Sequence, residues 1–347
     1  MFEYDDDDLV YELNAPLTSP SRFDRLLRSR WDDAMEKGHF WYRLDKLETR
    51  ILPGKYRFVA QLNIKRAQER RKPQHVSSVV MPFNPDLFNF TKVKDSEVLF
   101  ELRKTDKCFT ATKPGHCVVI NVSPLEYCNS LLVPNLADCL PQVLSPDGLM
   151  LAIDAVLLSS SPALRVGFNS LGGFASVNHQ HYHLYYLEHR LHLETAGTLQ
   201  HERPFFFLFM RQHCSTDAGL LCGRDKHRKK PRLTRLRPHA EVRNKDDKGR
   251  VPKFTRSYSR IRVEYPWRSK TYPRAKDESA LNVALCELGG HLPMKSKCCY
   301  DEGFRSATED SVAAVLRDFC HETFVKVRAK MASLEKDSEE ASMDRTS

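Results

Sequence analysis

The sequence contains 347 residues, of which 41% are hydrophobic, and it carries a formal net charge of +9. A chain of this length and composition can bury a sizeable core, so a globular protein of one large or two medium domains is expected. No apolar run reaches the roughly 18 residues of a membrane helix. The acidic stretch M-F-E-Y-D-D-D-D lacks the basic and apolar regions of a secretory signal. These features predict a cytoplasmic protein with no membrane partner.

The positive charge is concentrated in one part of the chain. Residues 224–276 contain 20 Lys and Arg against 5 Asp and Glu, so this part carries +15 and the remainder −6. Such a run is typical of a solvated loop, and we expect residues 213–257 to form a basic, disordered segment. Nucleic-acid binding through the basic residues is the alternative interpretation. The ten cysteines stand mostly isolated in apolar stretches, which indicates reduced core residues rather than a disulfide framework.

The first half of the chain predicts one helix followed by several strands. Apolar residues recur every three or four positions after Ser21, which predicts an amphipathic helix that ends near Gly38. Residues 51–63 are typical of a turn that leads into a strand. Further strands are predicted in three apolar stretches separated by turn residues: Glu97–Leu102, Cys117–Val122 and Leu131–Val133.

The second half adds further helices and strands. A helix is predicted after the P-D-G at 146–148, running to about Ser160, and the R-V-G-F-N that follows indicates a short strand. Another strand is predicted at Phe205–Phe209, and an amphipathic helix that begins near Ser306 and includes Cys320. Because the helices and strands do not alternate regularly, an α+β fold is favoured over a doubly wound sheet.

Three histidines occupy alternate positions in V-N-H-Q-H-Y-H-L-Y-Y-L, residues 177–187. The stretch is rich in strand-forming residues and follows a Gly-Gly break, so we interpret it as a strand. Alternate side chains of a strand share one face, which brings His179, His181 and His183 together. A helix would separate them.

Zinc binding, packing and nucleophilic catalysis are the possible roles of this histidine face. A zinc site requires three or four convergent ligands, and the other His and Cys groups show no recognised spacing, so no metal is expected. Packing alone would require polar partners for three imidazoles. Neutral imidazole is a good nucleophile toward phosphorus when hydrogen-bond donors stabilise the phosphate oxygens. We expect such donors from the side chains of Asn169 and Ser176, and close backbone approach at Gly172-Gly173.

H-Q-H-Y-H also resembles the alternating histidines of the histidine-triad superfamily, and five blocks resemble its animal GDP-D-glucose phosphorylases. The blocks are R-V-G-F-N-S-L-G-G-F-A-S-V-N-H-Q-H-Y-H, L-P-G-K-Y-R-F-V-A-Q-L-N, F-N-P-D-L-F-N-F-T-K-V, I-N-V-S-P-L-E-Y and L-N-V-A-L-C-E-L-G-G-H-L-P. The resemblance implies a histidine-triad-like α+β fold with an antiparallel sheet and packed helices. It divides the chain into an acidic N-terminus and helix (1–44), a catalytic region (45–212), the basic segment (213–257), the rest of the catalytic fold (258–331) and a polar tail (332–347).

The resemblance further implies a reaction in which GDP-D-glucose and inorganic phosphate give GDP and glucose 1-phosphate without a cofactor. The middle histidine, His181, would attack the α-phosphorus to form a guanylyl-histidine, with His179 and His183 flanking the site. Another histidine-triad enzyme acting on GDP-L-galactose is the alternative, but the plant enzymes of that kind have Gln where this chain has His183. One departure is Cys128-Asn129, where the superfamily commonly has Gly-His; the loss of a chargeable side chain there predicts lower efficiency.

Overall fold

The structure, a computed structural model, describes residues 1–10, 19–71, 74–78, 80–105, 115–171, 173, 175–194, 219–224, 261–264, 283–295, 297 and 309–318. The strands are β1 (Phe2–Tyr4), β2 (Glu48–Ile51), β3 (Val59–Leu62), β4 (Val98–Lys104), β5 (His116–Ile120), β6 (Ser130–Val133), β7 (Leu164–Asn169), β8 (Tyr182–Tyr186), β9 (Gly219–Arg224), β10 (Ile261–Glu264) and β11 (His291–Met294). The helices are α1 (Arg22–Glu36), α2 (Ile64–Gln68), α3 (Pro146–Leu158), α4 (Leu285–Gly289) and α5 (309–318).

Two sheets organise the described part of the chain. The larger has the order β1-β4-β5-β6-β8-β7-β9-β10, and all its pairings are antiparallel except that of β1 with β4. The smaller has the order β11-β3-β2, with β11 parallel to β3. This arrangement confirms the predicted α+β class with an antiparallel sheet.

Alternation along β5 and β6 separates the two faces of the large sheet. Val118 and Leu132 belong to the main core with the buried residues of α1 and α3, whereas Val119 and Leu131 pack with Phe90 on the opposite face. Both faces are apolar, so these strands appear in the sequence as continuous hydrophobic runs. The second face carries the candidate site.

Helix α1 is attached to the sheet through a buried carboxylate. Ser21 caps the helix, and Asp24 in its first turn is 0% exposed. The Asp24 carboxylate accepts hydrogen bonds from the Ser159 hydroxyl at 2.6 Å, the Ser160 amide at 2.8 Å and the Tyr186 hydroxyl at 2.6 Å. These donors hold its pKa below the ordinary value despite burial, so the charged group is compensated where α1, α3 and β8 meet.

Most predicted elements are confirmed, with bounds that differ by a few residues. The predicted strand at Phe205–Phe209 and the start of the last helix at Ser306 lie outside the described residues, although 309–318 are helical. Residues 213–257 are expected to be disordered, but Gly219–Arg224 within this range forms a strand that pairs with β7. The rest of that range lies outside the described residues. No described helix has the length and apolarity to cross a membrane. Cys117, Cys128, Cys139 and Cys286 are free thiols.

Candidate functional site

The histidine segment begins as an irregular chain, which corrects the prediction of a strand across 177–187. Strand β8 starts at Tyr182, so only His183 of the three histidines lies within it. The reason is tertiary: the amide of Gln180 donates to the carbonyl of Leu140, and that of His181 to the side chain of Gln142, instead of to a neighbouring strand. Local alternation cannot reveal such partners.

The three imidazoles nevertheless lie together. The ring centroids of His181 and His183 are 5.5 Å apart. The ring of Phe90 lies 5.5 Å from His179 and 5.0 Å from His181, so one aromatic side chain contacts both. The shared histidine face therefore holds although most of the predicted strand does not.

A hydrogen bond sets the tautomer of His181. Its Nδ1 lies 2.7 Å from the carbonyl oxygen of His179, and since a carbonyl can only accept, Nδ1 carries the proton and Nε2 carries the lone pair. The residue is 4% exposed, and burial lowers its pKa to about 4. His181 is thus neutral near pH 7, with a nucleophilic nitrogen available to the cavity that it lines.

The opposite tautomer occurs at His179. The amide of Phe90 donates to its Nδ1 at 3.2 Å, so its Nε2 carries the proton, and this N–H has no acceptor among the described residues. Burial, and then the nearby His181, lower its pKa to about 4. Its ring also lies edge-on to Phe83, with centroids 5.2 Å apart. His179 therefore contributes mainly its carbonyl to the positioning of His181.

His183 extends the site along the sheet. It lies opposite Leu131 on β6 and Gly167 on β7. Burial lowers its pKa well below the ordinary value, and the charges of His181 and Arg66 act in the same direction. Both His183 and His181 line a cavity of about 190 Å³ on this face of the sheet.

Three arginines that the sequence analysis does not single out also line this cavity. Arg66 lies on α2, and Arg70 and Arg71 follow it. Burial and the charge of Arg66 lower the pKa of Arg70, which shows that two cations share a poorly solvated environment. The spacing of four residues in R-A-Q-E-R-R is the only sequence signal that places Arg66 and Arg70 on one side. An anion in the cavity would relieve their repulsion.

A second cleft, of about 520 Å³, lies between α1 and the ends of β2, β3 and β8 and has a different electrostatic character. Two basic side chains, Arg43 and Lys46, line it against five carboxylates: Asp32, Glu36, Asp45, Glu126 and Glu188. The carboxylates are therefore in excess. These groups would repel phosphate. Although it is larger, this cleft is therefore less suited to an anionic ligand than the cavity beside His181.

Two of the four predicted phosphate-binding residues lie in the lining of the cavity. Asn169 and Ser176 line the cavity. The Asn169 side-chain oxygen accepts from the amide of Leu285 at 3.0 Å, and its NH₂ group, which makes no hydrogen bond to a described residue, can donate. The amide of Gly173 already donates to the carbonyl of Ser170 at 2.9 Å, within a turn. Gly172 lies outside the described residues.

Asn129, the residue that stands where the superfamily commonly has His, is a structural link. It is fully buried, accepts from the amide of Leu125 at 2.9 Å and the side chain of Asn121 at 3.0 Å, and donates to the carbonyl of Leu184 at 3.0 Å. Both the oxygen and the nitrogen of this buried side chain therefore have hydrogen-bond partners. The side chain is not part of the cavity lining. Among the described residues, no three His, Cys, Asp or Glu side chains form a group able to hold a metal ion.

Comparisons with known proteins identify the family to which the chain belongs. A family model described as "GDPGP1-like, N-terminal domain" matches residues 22–185. GDP-D-glucose phosphorylase 1 of Danio rerio is 41% identical over 345 residues, covering 92% of this chain and 93% of that protein. The Homo sapiens protein of the same name is 42% identical over 343 residues, covering 91% and 86%. GDP-L-galactose phosphorylase 2 of Arabidopsis thaliana is 38% identical over 196 residues, covering 52% and 46%.

A solved structure confirms the fold. Yeast Ap4A phosphorylase Apa2, in complex with Ap4A, superposes with a TM-score of 0.52 at 13% identity, covering 86% of this chain and 97% of that chain. At this identity the likeness concerns the fold alone. The full-length similarity to the vertebrate proteins is what settles the family: the chain belongs to the GDP-D-glucose phosphorylase 1 family.

Proposed function

We propose that this protein catalyses the phosphorolysis of GDP-D-glucose to GDP and glucose 1-phosphate through a guanylyl intermediate on His181. The observation that carries the proposal is the hydrogen bond from His181 Nδ1 to the His179 carbonyl, which leaves a neutral Nε2 beside a cavity lined by three arginines. The activity in the names of the vertebrate relatives supports the same reaction. Inorganic phosphate and the nucleotide sugar are then the two substrates, and no cofactor is required.

In the first half-reaction, Nε2 of His181 attacks the α-phosphorus. A P–N bond forms, the bond from the α-phosphorus to the bridging oxygen breaks, and glucose 1-phosphate leaves with that oxygen and its electron pair. The Nδ1–H···O bond to His179 stabilises the positive charge that develops on the ring. Arg66 and Arg70 would neutralise the non-bridging oxygens, since phosphoryl transfer depends chiefly on positioning and electrostatics.

In the second half-reaction, an oxygen of inorganic phosphate attacks the same phosphorus from the side vacated by glucose 1-phosphate. The P–N bond breaks, the electron pair returns to Nε2, and GDP is released. Asn169, Ser176 and His183 line the same cavity, and we assign them to binding of phosphate oxygens. His179 would position His181, and Gly173 would shape the turn that precedes the histidines.

Isotope exchange tests the covalent intermediate. Wild-type protein should exchange labelled glucose 1-phosphate into GDP-glucose with no phosphate present, and should show ping-pong kinetics. His181→Ala should abolish both exchange and net turnover, whereas the exposed His75→Ala serves as the matched control and should retain them. Turnover of GDP-glucose by the wild-type protein without exchange and without a GMP adduct on His181 would refute the mechanism.

The sugar is tested with GDP-L-galactose in parallel. Plant GDP-L-galactose phosphorylases match only about half of the chain, whereas the vertebrate GDP-D-glucose phosphorylases match about nine-tenths. We therefore expect higher kcat/KM for GDP-D-glucose. A higher kcat/KM for GDP-L-galactose would replace the sugar in the proposal but leave the role of His181 intact.

A further inference from the structure

The cavity beside His181 contains two carboxylates, and they have different roles. Glu287 accepts a hydrogen bond from the amide of Ala284 at 3.0 Å, and so helps to begin α4. Glu97, half-buried just before β4, makes no side-chain hydrogen bond to a described residue. We propose, on the basis of the function proposed above, that Glu97 recognises the Watson–Crick edge of guanine and so determines the choice of nucleotide.

The electrostatics of the cavity argue that Glu97 faces a part of the ligand other than phosphate. An ionised carboxylate is an acceptor without donors, and it repels phosphate oxygens. A nucleotide site with cations for its phosphates therefore gains nothing from an added carboxylate, unless the ligand presents N–H or O–H donors there. In a guanine nucleotide such donors are the N1–H and N2 amino groups of the base and the hydroxyls of the ribose.

The distance across the sheet favours the base over the ribose. Val98, Val119, Leu131 and His183 lie opposite one another on four successive strands. Three strand spacings place the start of β4 roughly 14 Å from His183. This separation is comparable to an extended nucleoside monophosphate. A ribose, which is attached directly to the α-phosphate near His181, would lie much closer to the histidines than Glu97 does.

The side chains around Glu97 suit a planar base. Phe88, Phe90 and Val93 line the cavity between Glu97 and the histidines and provide an apolar surface. The Arg71 guanidinium lies 3.5 Å from the centroid of the Phe88 ring, which is a cation–π contact. Burial lowers the pKa of Arg71, and the charge of Glu97, which lines the same cavity, acts in the opposite direction. The lining of this cavity thus contains one acceptor and one donor whose charges interact.

This pair matches guanine and not adenine. Guanine presents O6 as an acceptor next to the N1–H and N2 amino donors, so O6 can accept from Arg71 while Glu97 accepts from the two donors. Adenine has an amino group where guanine has O6, and an unprotonated N1 where guanine has N1–H. Its N1 lone pair would face the carboxylate and its amino group would face the guanidinium. Hypoxanthine keeps O6 and N1–H and lacks only the amino group.

Nucleotide preference provides the test. In wild-type protein, kcat/KM for GDP-glucose should exceed that for IDP-glucose and, by a wider margin, that for ADP-glucose. Glu97→Gln should lower kcat/KM roughly 100-fold for GDP-glucose and roughly 10-fold for IDP-glucose, because bonds to a charged acceptor are lost. The value for ADP-glucose should stay the same or increase. Glu101→Gln, at an exposed residue of β4 outside the cavity lining, is the matched control and should change none of these values.

An equal fall in kcat/KM for all three sugar nucleotides would overturn the proposal, because it indicates contact with the ribose or an effect on folding. An unchanged kcat/KM for all three would also overturn it. Calorimetric binding of free GDP, IDP and ADP to both proteins separates this proposal from the catalytic one, because it requires no turnover. If wild-type protein binds GDP more tightly than IDP and ADP, and Glu97→Gln loses that preference, base recognition stands even when GDP-glucose is not turned over. Equal affinity of the wild-type protein for GDP and ADP would refute it.

Discussion

The side chain of Gln142 holds the main chain of His181 on both sides. Its Oε1 accepts from the amide of His181 at 2.8 Å, and its Nε2 donates to the carbonyl of the same residue at 3.1 Å. The Nε2 also donates to the carbonyl of Asn169 at 2.6 Å, which ties the histidine segment to the end of β7. Gln142 is completely buried, so its amide fixes the position of the nucleophile without lining the cavity.

Gln142→Leu should lower kcat more than it changes KM. The substitution keeps a similar volume but removes the acceptor for the His181 amide and the donor to the carbonyls of His181 and Asn169, so the nucleophile shifts from its working position. We expect kcat to fall on the order of 10²-fold and the free energy of unfolding to fall by roughly 3 kcal/mol. Steady-state kinetics and urea unfolding measure the two effects.

Gln180→Leu is the matched control for Gln142→Leu. Gln180 is also a buried amide, and its Nε2 donates to the carbonyl of Val143 at 2.5 Å, but its side chain does not contact the main chain of His181. It should lose comparable stability and keep its kcat per folded molecule. An equal fall of kcat in both variants would show that Gln142 acts only through general stability.

The sequence predicts the strands better than it predicts the site. Strands β5 and β6 are found within two residues of their expected bounds, because burial on both faces gives them apolar runs that local patterns detect. The histidine face was also predicted, since its side chains alternate. The sequence does not predict Gln142 as the partner of the His181 main chain. Gln142 lies 39 positions away and contacts His181 only in the folded chain.

The arginines of the site show a second limit. Helix α2 spans only five residues, too few for an amphipathic period, and its charges have the composition of a linker. Only the folded chain brings Arg66 and Arg70 into the lining of the cavity that contains His181 and His183. Gly173 shows a different limit of the sequence pattern. Close approach of a phosphate to its backbone is expected from the sequence, whereas in the structure its amide donates to the Ser170 carbonyl within a turn.

Removal of Arg70 should eliminate the response of the protein to phosphate. Arg70 and Arg66 repel each other in the cavity, so in phosphate-free buffer Arg70→Ala should be at least as stable as wild type. Wild-type protein should gain about 2.7 kcal/mol when phosphate is at 100 times its Kd, and the variant should gain much less. Thermal unfolding with and without phosphate tests this, with the exposed Arg30→Ala as control. A variant that keeps the full phosphate response would remove Arg70 from the anion site.

Acid should unfold the protein through its buried histidines. In the folded protein burial lowers the pKa values of His179 and His181 to about 4 and that of His291 to about 3, whereas an unfolded histidine titrates near 6.5. Between these values the unfolded chain binds more protons, so stability is complete above pH 6.5 and is lost as the pH falls toward 4. Each such histidine contributes a slope of about 1.4 kcal/mol per pH unit.

Urea unfolding at several pH values measures that slope. His291 lies outside the cavity lining, and its Nε2 donates to the side chain of Gln61 at 2.6 Å. His291→Gln should therefore reduce the slope by one proton while the kcat of the folded protein is retained. A stability that does not change between pH 7 and pH 5 would contradict the assignment of neutral, buried histidines.

Chelation should leave turnover intact. His179 offers no free lone pair, because its Nδ1 already accepts from the Phe90 amide and its Nε2 carries the proton. His181 offers only Nε2, so the triad supplies at most two ligands where a catalytic zinc site has three. Activity measured after exhaustive dialysis against a chelator checks this expectation. Loss of activity that zinc restores, with the metal located on the histidines, would replace the nucleophile with a metal centre.

The final prediction concerns backbone strain at Cys128. The turn is closed by a hydrogen bond from the Asn129 amide to the Glu126 carbonyl at 3.0 Å, and its third residue, Cys128, has φ of 57°. This left-handed conformation favours glycine and is costly for a residue with a Cβ. The buried thiol offsets part of that cost by packing in the main core. Replacement by alanine should therefore lose the packing and keep the strain, whereas replacement by glycine loses the packing and relieves the strain.

We expect Cys128→Gly to be more stable than Cys128→Ala by about 1 kcal/mol, with similar kcat in both, since Cys128 does not line the cavity. Urea unfolding of the two variants decides the sign: an alanine variant that is more stable than the glycine variant would show that the turn carries no such strain.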